Sequence, residues 1–460
     1  MLFSDKYPKL FDIFQASLFF VFLLSLQLFI PPMQSPDEIS HITRAAFLSE
    51  GQLFPGKNSE GVAGGPIDRN LLSFIRSYEN IPFHPESKVT HLNRQFDQLT
   101  WAGDDAYVGD ANTLNVLPIV YIPQAFGLFL GRALNLTLQD SYFLSRLLYV
   151  LSIVAILSCA FRMVPANAFV SLILLLPMSL FQFASPTIDG LVTALVVLAL
   201  AMFIKISKFK ENVSSFTFVL LVIVLAVIIG AKLYLFPMIL LLILLCFYQR
   251  TLLNLILVLV LLSLIGGWVV FIGSHGADVR LVSRPPNSEI IRFYLANPTA
   301  YLRVLKNTFS YKDLMLFHIE SFIGILGWLD TRLKEWMYPI FETFLSLAII
   351  SSISMPKCKK DFVIKASLVL ISLTSIWLIY TFMLLGWSKH PAIFIEGVQG
   401  RYFLTPLLIL GYAFSYQFQS EGSPFLMQKG LGYIAVGSIC VLSMATPWIL
   451  YSRYQYFLWG

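Results

Sequence analysis

Cysteine is scarce in this 460-residue chain, and charge is scarcer than the length calls for. The four cysteines, Cys159, Cys246, Cys358 and Cys440, fall in apolar runs or in one Lys-rich loop, so no disulfide framework or thiolate metal site is expected. No His/Cys cluster has zinc spacing, and metal is not expected at the site. No Gly-rich phosphate loop is present, since Gly64-Gly65 stands alone, and ATP use has no support. Charged residues make up 13% of the chain, about half the share of a soluble protein. The formal charge of +6 is small for this length, and nucleic acid is not an expected partner. Internal repeats and low-complexity tracts are missing, and so is any separate soluble domain. A single domain over 1–460 is expected, with no cleavable signal peptide at its start. The sequon Asn135-Leu136-Thr137 reads as a chance match.

Apolar residues fill the space that charge leaves. They make up 57% of the chain, and the mean hydropathy is +0.74. The expected class is an all-α polytopic membrane protein. A span needs about 20 apolar residues. Candidates are 10–30, 142–162, 166–183, 188–205, 215–230, 234–248, 252–272, 336–354, 363–386, 402–417 and 430–450, about eleven spans. The break Gly230-Ala231-Lys232 makes 215–248 the least regular part. The segment 116–131 is also apolar, but Pro118, Pro123, Gly127 and Gly131 mark it as an interfacial or re-entrant helix. Lys6, Lys9, Arg162, Lys205, Lys208, Lys210, Arg250, Lys357, Lys359, Lys360, Lys365 and Lys429 then share one side, which becomes the cytoplasm, with the N-terminus. Counting 116–131 as a full span would turn the later Lys-rich loops outward. The other, periplasmic side holds two long polar segments, 31–141 and 273–335. Within the first, apolar positions 71, 72, 74, 75 and 78 suit an amphipathic helix resting on the bilayer. The second is basic over 280–312.

Ser35-Pro36-Asp37-Glu38-Ile39-Ser40-His41-Ile42-Thr43-Arg44-Ala45 follows the first apolar run and the Pro31-Pro32 break. The local signals start a helix there, with Ser35 as N-cap, Pro36 at the first position and Glu38 closing a capping box. Asp37, His41 and Arg44 then share one face. Capping alone accounts for Glu38 but leaves Asp37 over.

On this topology the outer ends of later spans add Asp189, Lys232, Asp330, Arg332, Gln399 and Arg401. Polar residues gathered at one membrane face suggest a shared site. Cations there would hold a lipid-linked phosphate and steady charge as it leaves. A carboxylate would take the proton of an incoming hydroxyl. Each residue also has a plainer reading. Arg401 snorkels to headgroups, Asp189 caps a helix, and Asp330 pairs with Arg332. The basic residues of 280–312 contact headgroups, and Trp328, Trp336, Trp387 and Trp448 form an interfacial belt.

Pro36-Asp37-Glu38-x-x-His41-x-x-Arg44-Ala45, Ser185-x-x-x-Asp189, Lys232-x-Tyr234, Gly327-Trp328-Leu329-Asp330-Thr331 and Gln399-Gly400-Arg401-Tyr402-Phe403 occur in this order. In these the chain resembles a family of bacterial polytopic membrane proteins, long labelled as of unknown function and grouped with the GT-C glycosyltransferases. The layout is similar to that of serotype-converting O-antigen glucosyltransferases. The resemblance implies a GT-C fold in the bacterial inner membrane and an inverting glycosyltransferase with a polyprenyl-phosphate sugar (best guess glucose) as co-substrate. It implies a cell-surface polysaccharide such as O-antigen as acceptor, a groove for membrane lipid, and no further cofactor. It puts the base at Asp37 with Glu38 beside it. Donor contacts would come from His41, Arg44, Lys232, Tyr234, Gln399, Arg401 and Tyr402. Two other functions stay open: an O-antigen polymerase or ligase with a diphosphate-linked donor, and a lipid-sugar transporter or flippase.

Overall fold

The computed structural model describes residues 8–54, 56–59, 62–109, 113, 115–208, 215–249, 251–275, 285–416 and 426–458. Lys6, Lys210, Arg250, Arg280 and Arg284 lie outside the described residues. The chain is an all-α membrane protein with two short two-stranded antiparallel sheets among the described residues. Five described helices are long and apolar enough to cross a bilayer: Leu138–Met163, Asp189–Lys208, Leu252–Ile272, Lys359–Gly386 and Gly430–Tyr454. Shorter apolar helices cover Ile13–Gln27, Phe216–Ala231, Leu233–Tyr248 and Met337–Ser352.

Among the described residues each of the eleven apolar segments is largely helical, but not every one is a single helix: 430–450 breaks at Met444-Ala445, 234–248 starts in a 3₁₀ turn, and 166–183 is split in two. The last divides into Ala168–Leu174 and Pro177–Ala184. Pro177 has no N–H to give to the preceding turn, so the helix restarts there. The Ser179 hydroxyl donates to the Ile173 carbonyl across the break at 2.6 Å.

Asp189–Lys208 is the axis of the bundle. Its residues are buried nearly all round, and it packs against Leu138–Met163, Pro177–Ala184, Ser215–Ala231 and Leu404–Ser415. Alanines at 194, 199 and 201 let neighbouring backbones come close. Asp189 opens the helix and Lys205 and Lys208 close it, both matching its dipole. Asp189 therefore sits centrally, at one end of the bundle.

The segment 116–131 forms a 3₁₀ turn, Pro118–Tyr121, and a helix, Ile122–Ala133. Twelve residues reach about 18 Å, short of the roughly 30 Å hydrocarbon core. Gly127 lies flush on Leu138–Met163, since a Cβ there would come 2.3 Å from Ser145 Cα. Phe126 and Phe129 face outward.

The amphipathic face expected on the bilayer turns inward instead. In Arg69–Arg76, capped by Asp68 Oδ1 accepting from Asn70 N at 2.9 Å, Leu71, Phe74 and Ile75 are buried in the main core. Phe74 packs on Tyr142, ring centroids 5.8 Å apart. In the second polar segment, Arg292, Arg303, Lys306 and Lys312 are exposed on short helices between Asn287 and Gly324.

Candidate functional site

Helix Glu38–Ser49 starts two residues later than the capping signals place it. Tertiary partners claim Glu38: its carboxylate accepts from the Tyr142 hydroxyl, from Met33 N at 3.2 Å and from Ser35 N at 2.9 Å. Half of the expected capping box survives, Glu38 to Ser35 N. Ser35 Oγ has no hydrogen-bond partner, and Asp37 is the N-cap. Asp37 stands in the left-handed region at φ 63°, a conformation its short polar side chain tolerates, and makes no side-chain cap bond. Its carboxylate is thereby left for another partner.

That partner comes from 364 residues further along the chain. Arg401 Nη2 donates to Asp37 Oδ2 at 2.5 Å, and Nη1 donates to the Pro36 carbonyl at 3.1 Å. Nη1 also lies 3.2 Å from Asp189 Oδ2, and Lys232 Nζ lies 2.6 Å from Asp189 Oδ1. The four charges form one row: Asp37, Arg401, Asp189, Lys232. Exposure falls steeply inward, with the Asp37 side chain 48% exposed, Lys232 16%, Asp189 9% and Arg401 1%. Tyr402 lies beneath both cations, its ring centroid 5.3 Å from Arg401 Cζ and 5.7 Å from Lys232 Nζ. Tyr234 lies within electrostatic reach of Lys232.

Local geometry explains the positions. Gly400 presses on helix Lys312–Gly324, where a Cβ would fall 2.0 Å from Phe322 N, and its own N–H donates to Ser321 Oγ at 2.9 Å. Only glycine allows that approach, and it delivers Arg401 to the interior. Gly190 does the same for Asp189, since a Cβ there would come 2.6 Å from the Tyr149 hydroxyl. The Ser185–Asp189 turn is held by Gln124, whose Nε2 donates to the Thr187 carbonyl at 3.1 Å. Lys232 is extended between helix Ser215–Ala231 and the 3₁₀ turn Leu233–Met238, which is how a charge comes to stand between two apolar runs.

His41 is buried, with Nδ1 2.9 Å from the Tyr121 hydroxyl. Burial lowers its pKa to about 4 although Asp37 and Asp189 pull the other way, so the imidazole is neutral at pH 7. For Asp37 burial acts upward, but the Arg401 charge, then His41, hold the carboxyl below its ordinary value. Burial pushes Glu38 upward against the pull of Arg146.

Asp37, His41, Asp189, Lys232, Tyr234, Arg401 and Tyr402 therefore come together. Gln399 is partly buried beside them, its Oε1 without a hydrogen-bond partner. Glu38 lies behind, fully buried, clamping the Met33–Ser35 turn. Arg44 is engaged with the first polar segment, donating to the Leu53 carbonyl at 2.7 Å. Asp330 and Arg332 do not pair with each other. Asp330 meets Arg453 at 2.8 Å, and Arg332 meets Glu320. Their hairpin, Ile325–Leu326 with Thr331–Arg332, instead braces the acidic turn, because Trp328 Nε1 donates to the Met33 carbonyl at 2.9 Å. Trp328 is thus a brace, while Trp336, Trp387 and Trp448 are exposed.

Sequence reasoning passed over Tyr121, Tyr142, Arg146 and Arg453. Arg146 carried a signal, an arginine inside an apolar span, and it donates to the Ile30 carbonyl at 2.9 Å. Tyr121 and Tyr142 carried none beyond a hydroxyl in an apolar run.

Chemically, the row sums to zero charge at neutral pH, with one half-exposed carboxylate over a buried guanidinium. Arg401, Lys232 and Tyr402 are the groups that could hold an anion. Among the described residues no group of three or more His, Cys, Asp or Glu could hold a metal ion. No curated protein and no solved structure matches the chain. Residues 19–410 match the model of a family described as "Predicted membrane protein (DUF2142)", and the chain belongs to that family of multi-pass membrane proteins.

Proposed function

We propose that this membrane protein is an inverting glycosyltransferase of GT-C type. In this reading the eleven apolar segments cross the bacterial inner membrane. The Lys and Arg residues of the short loops support a cytoplasmic N-terminus and a periplasmic site. The donor is a polyprenyl-phosphate hexose, with glucose as the best guess, and the acceptor is a hydroxyl of a surface glycan such as O-antigen.

The observation that carries the reading is the half-exposed Asp37 carboxylate over Arg401, in one row with Asp189 and Lys232. Asp37 accepts the acceptor hydroxyl proton as the acceptor oxygen bonds to the anomeric carbon. The bond from that carbon to the phosphate oxygen breaks on the opposite face, and the polyprenyl phosphate leaves with the electron pair. Arg401 and Lys232 neutralise the charge that grows on it, with Tyr402 beneath them. Glu38 acts only through the turn that it clamps, and His41 packs neutral beside the base. A donor with one phosphate charge suits a row whose own charges cancel, which favours it over a diphosphate-linked donor. The charges stand at helix ends, which favours group transfer at a membrane face over transport.

The test is transfer by the purified full-length protein from polyprenyl-phosphate glucose to isolated O-antigen. Asp37→Asn should lower the rate by about 10²–10⁴. Transfer at the wild-type rate would remove Asp37 as the base.

A further inference from the structure

The exposed end of the row is the Asp37 carboxylate, and it covers the buried guanidinium of Arg401. Asp37 has Arg401 as the one polar partner of its carboxylate among the described residues. Its other natural role, bonding to backbone N–H groups of the helix start, is unused. Asp189 differs in having two cationic partners and little exposure. It is almost enclosed and gripped by Lys232 at 2.6 Å and Arg401 at 3.2 Å, and it opens a helix buried nearly all round. The Pro36 carbonyl that holds Arg401 Nη1 is main chain and stays. Of the contacts that Arg401 makes, only the one to Asp37 lies at the exposed end of the row, where an entering anion could replace it.

An entering phosphodiester brings one negative charge. Added to the intact row it would leave that charge unbalanced beside buried groups, which is costly. Exchanged for Asp37 on Arg401 Nη2 it keeps the buried balance at zero, and the freed carboxylate turns to the solvent side, where an acceptor hydroxyl would approach. We propose that Arg401 holds Asp37 in reserve, and that the donor phosphate, by taking over the guanidinium, releases this carboxylate to act. This rests on the phosphate reading above. It imposes an order, donor before acceptor deprotonation. The released carboxylate, without its cation, is also a stronger proton acceptor. The proton passes from acceptor oxygen to Asp37 and then to water, and no oxidant or further reactant enters.

Carboxyl labelling tests this without turnover. The full-length protein in dodecyl maltoside is treated with a water-soluble carbodiimide and glycine ethyl ester, with and without dodecyl methyl phosphate, a single-charge phosphodiester. Modification at Asp37 and Asp189 is read by mass spectrometry, and binding of the diester is measured separately by calorimetry. Saturating diester should raise Asp37 labelling at least threefold and leave Asp189 protected. R401Q should label strongly at Asp37 with or without diester. Binding that depends on Arg401 while wild-type Asp37 labelling stays flat or falls overturns this proposal alone. Absent binding, or binding that R401Q leaves untouched, overturns the phosphate reading and this proposal with it. The wild-type comparison decides even where R401Q does not fold.

Discussion

Replacing Asp189 by asparagine removes one negative charge and almost no volume. In the native row this carboxylate accepts from Lys232 Nζ at 2.6 Å and lies 3.2 Å from Arg401 Nη1. An amide offers one neutral acceptor to two cations and turns N–H groups toward one of them. Asp37 is then the only anion left in the row, and it touches only Arg401. Removing one partner of a buried ion pair costs about 3–5 kcal/mol. Water reaches Lys232, which is 16% exposed, and the amide oxygen still accepts one bond, so D189N should lose about 3 kcal/mol. Lys232→Met in the same chain removes the stranded charge. D189N/K232M should therefore be more stable than D189N, with a coupling of about 1–3 kcal/mol in the double-mutant cycle. The assay is equilibrium unfolding in mixed micelles followed by tryptophan fluorescence. D189N within about 0.5 kcal/mol of wild type, a shift typical of an inert surface substitution, would refute the reasoning. So would a double variant weaker than D189N itself.

Gly400→Ala forces a Cβ to 2.0 Å from Phe322 N, where the neighbour is backbone and cannot yield. It should cost about 1–3 kcal/mol by overpacking, and it should lower transfer at least tenfold by displacing Arg401. Transfer at the wild-type rate would mean that Arg401 does not depend on this close approach. His41 stays neutral in the native protein down to about pH 4, whereas the unfolded chain protonates near 6.5. The unfolded state thus binds the extra proton, and stability should fall as pH drops from 6.5 to 4, by at most about 1.4 kcal/mol per unit. His41→Asn should flatten that slope, and wild-type transfer should show no limb near 6.5. Trp328→Phe strands the Met33 carbonyl and should cost about 1 kcal/mol in the same unfolding assay. An unchanged midpoint would show that water replaces the indole N–H.

Lys232, Asp189 and Arg401 were legible because a charge at the end of an apolar run is expensive, and such residues tend to gather. The apolar segments were legible for the matching reason, since length and hydropathy alone mark a helix that can bury itself in lipid. Misreadings came where one sequence pattern serves two environments. The periodicity of Arg69–Tyr78 marks an apolar face but does not say whether lipid or Tyr142 covers it. Ser35 and Pro36 are genuine start signals, overruled because Glu38 found Tyr142, 104 residues away. Asp330 and Arg332 looked like a pair only because they are close in sequence. Asp330 ends the hairpin turn and Arg332 lies in its second strand, and each is taken by another partner, that of Asp330 being 123 residues distant. Pro177 was in plain view and was outweighed by hydropathy.

The bond between Asp37 and Arg401 has a bearing on biosynthesis. Its two ends are separated by 364 residues, which a ribosome working at about 5–20 residues per second needs roughly 20 to 70 s to make. Throughout that interval the nascent protein holds the Asp37 carboxylate without its Arg401 counter-charge, and Asp189 and Lys232 lack Arg401 between them and Asp37. Messages cut short before codon 401 would therefore yield electrically incomplete chains, an unbalanced polar surface of the kind a protease could use to tell an unfinished chain from a finished one.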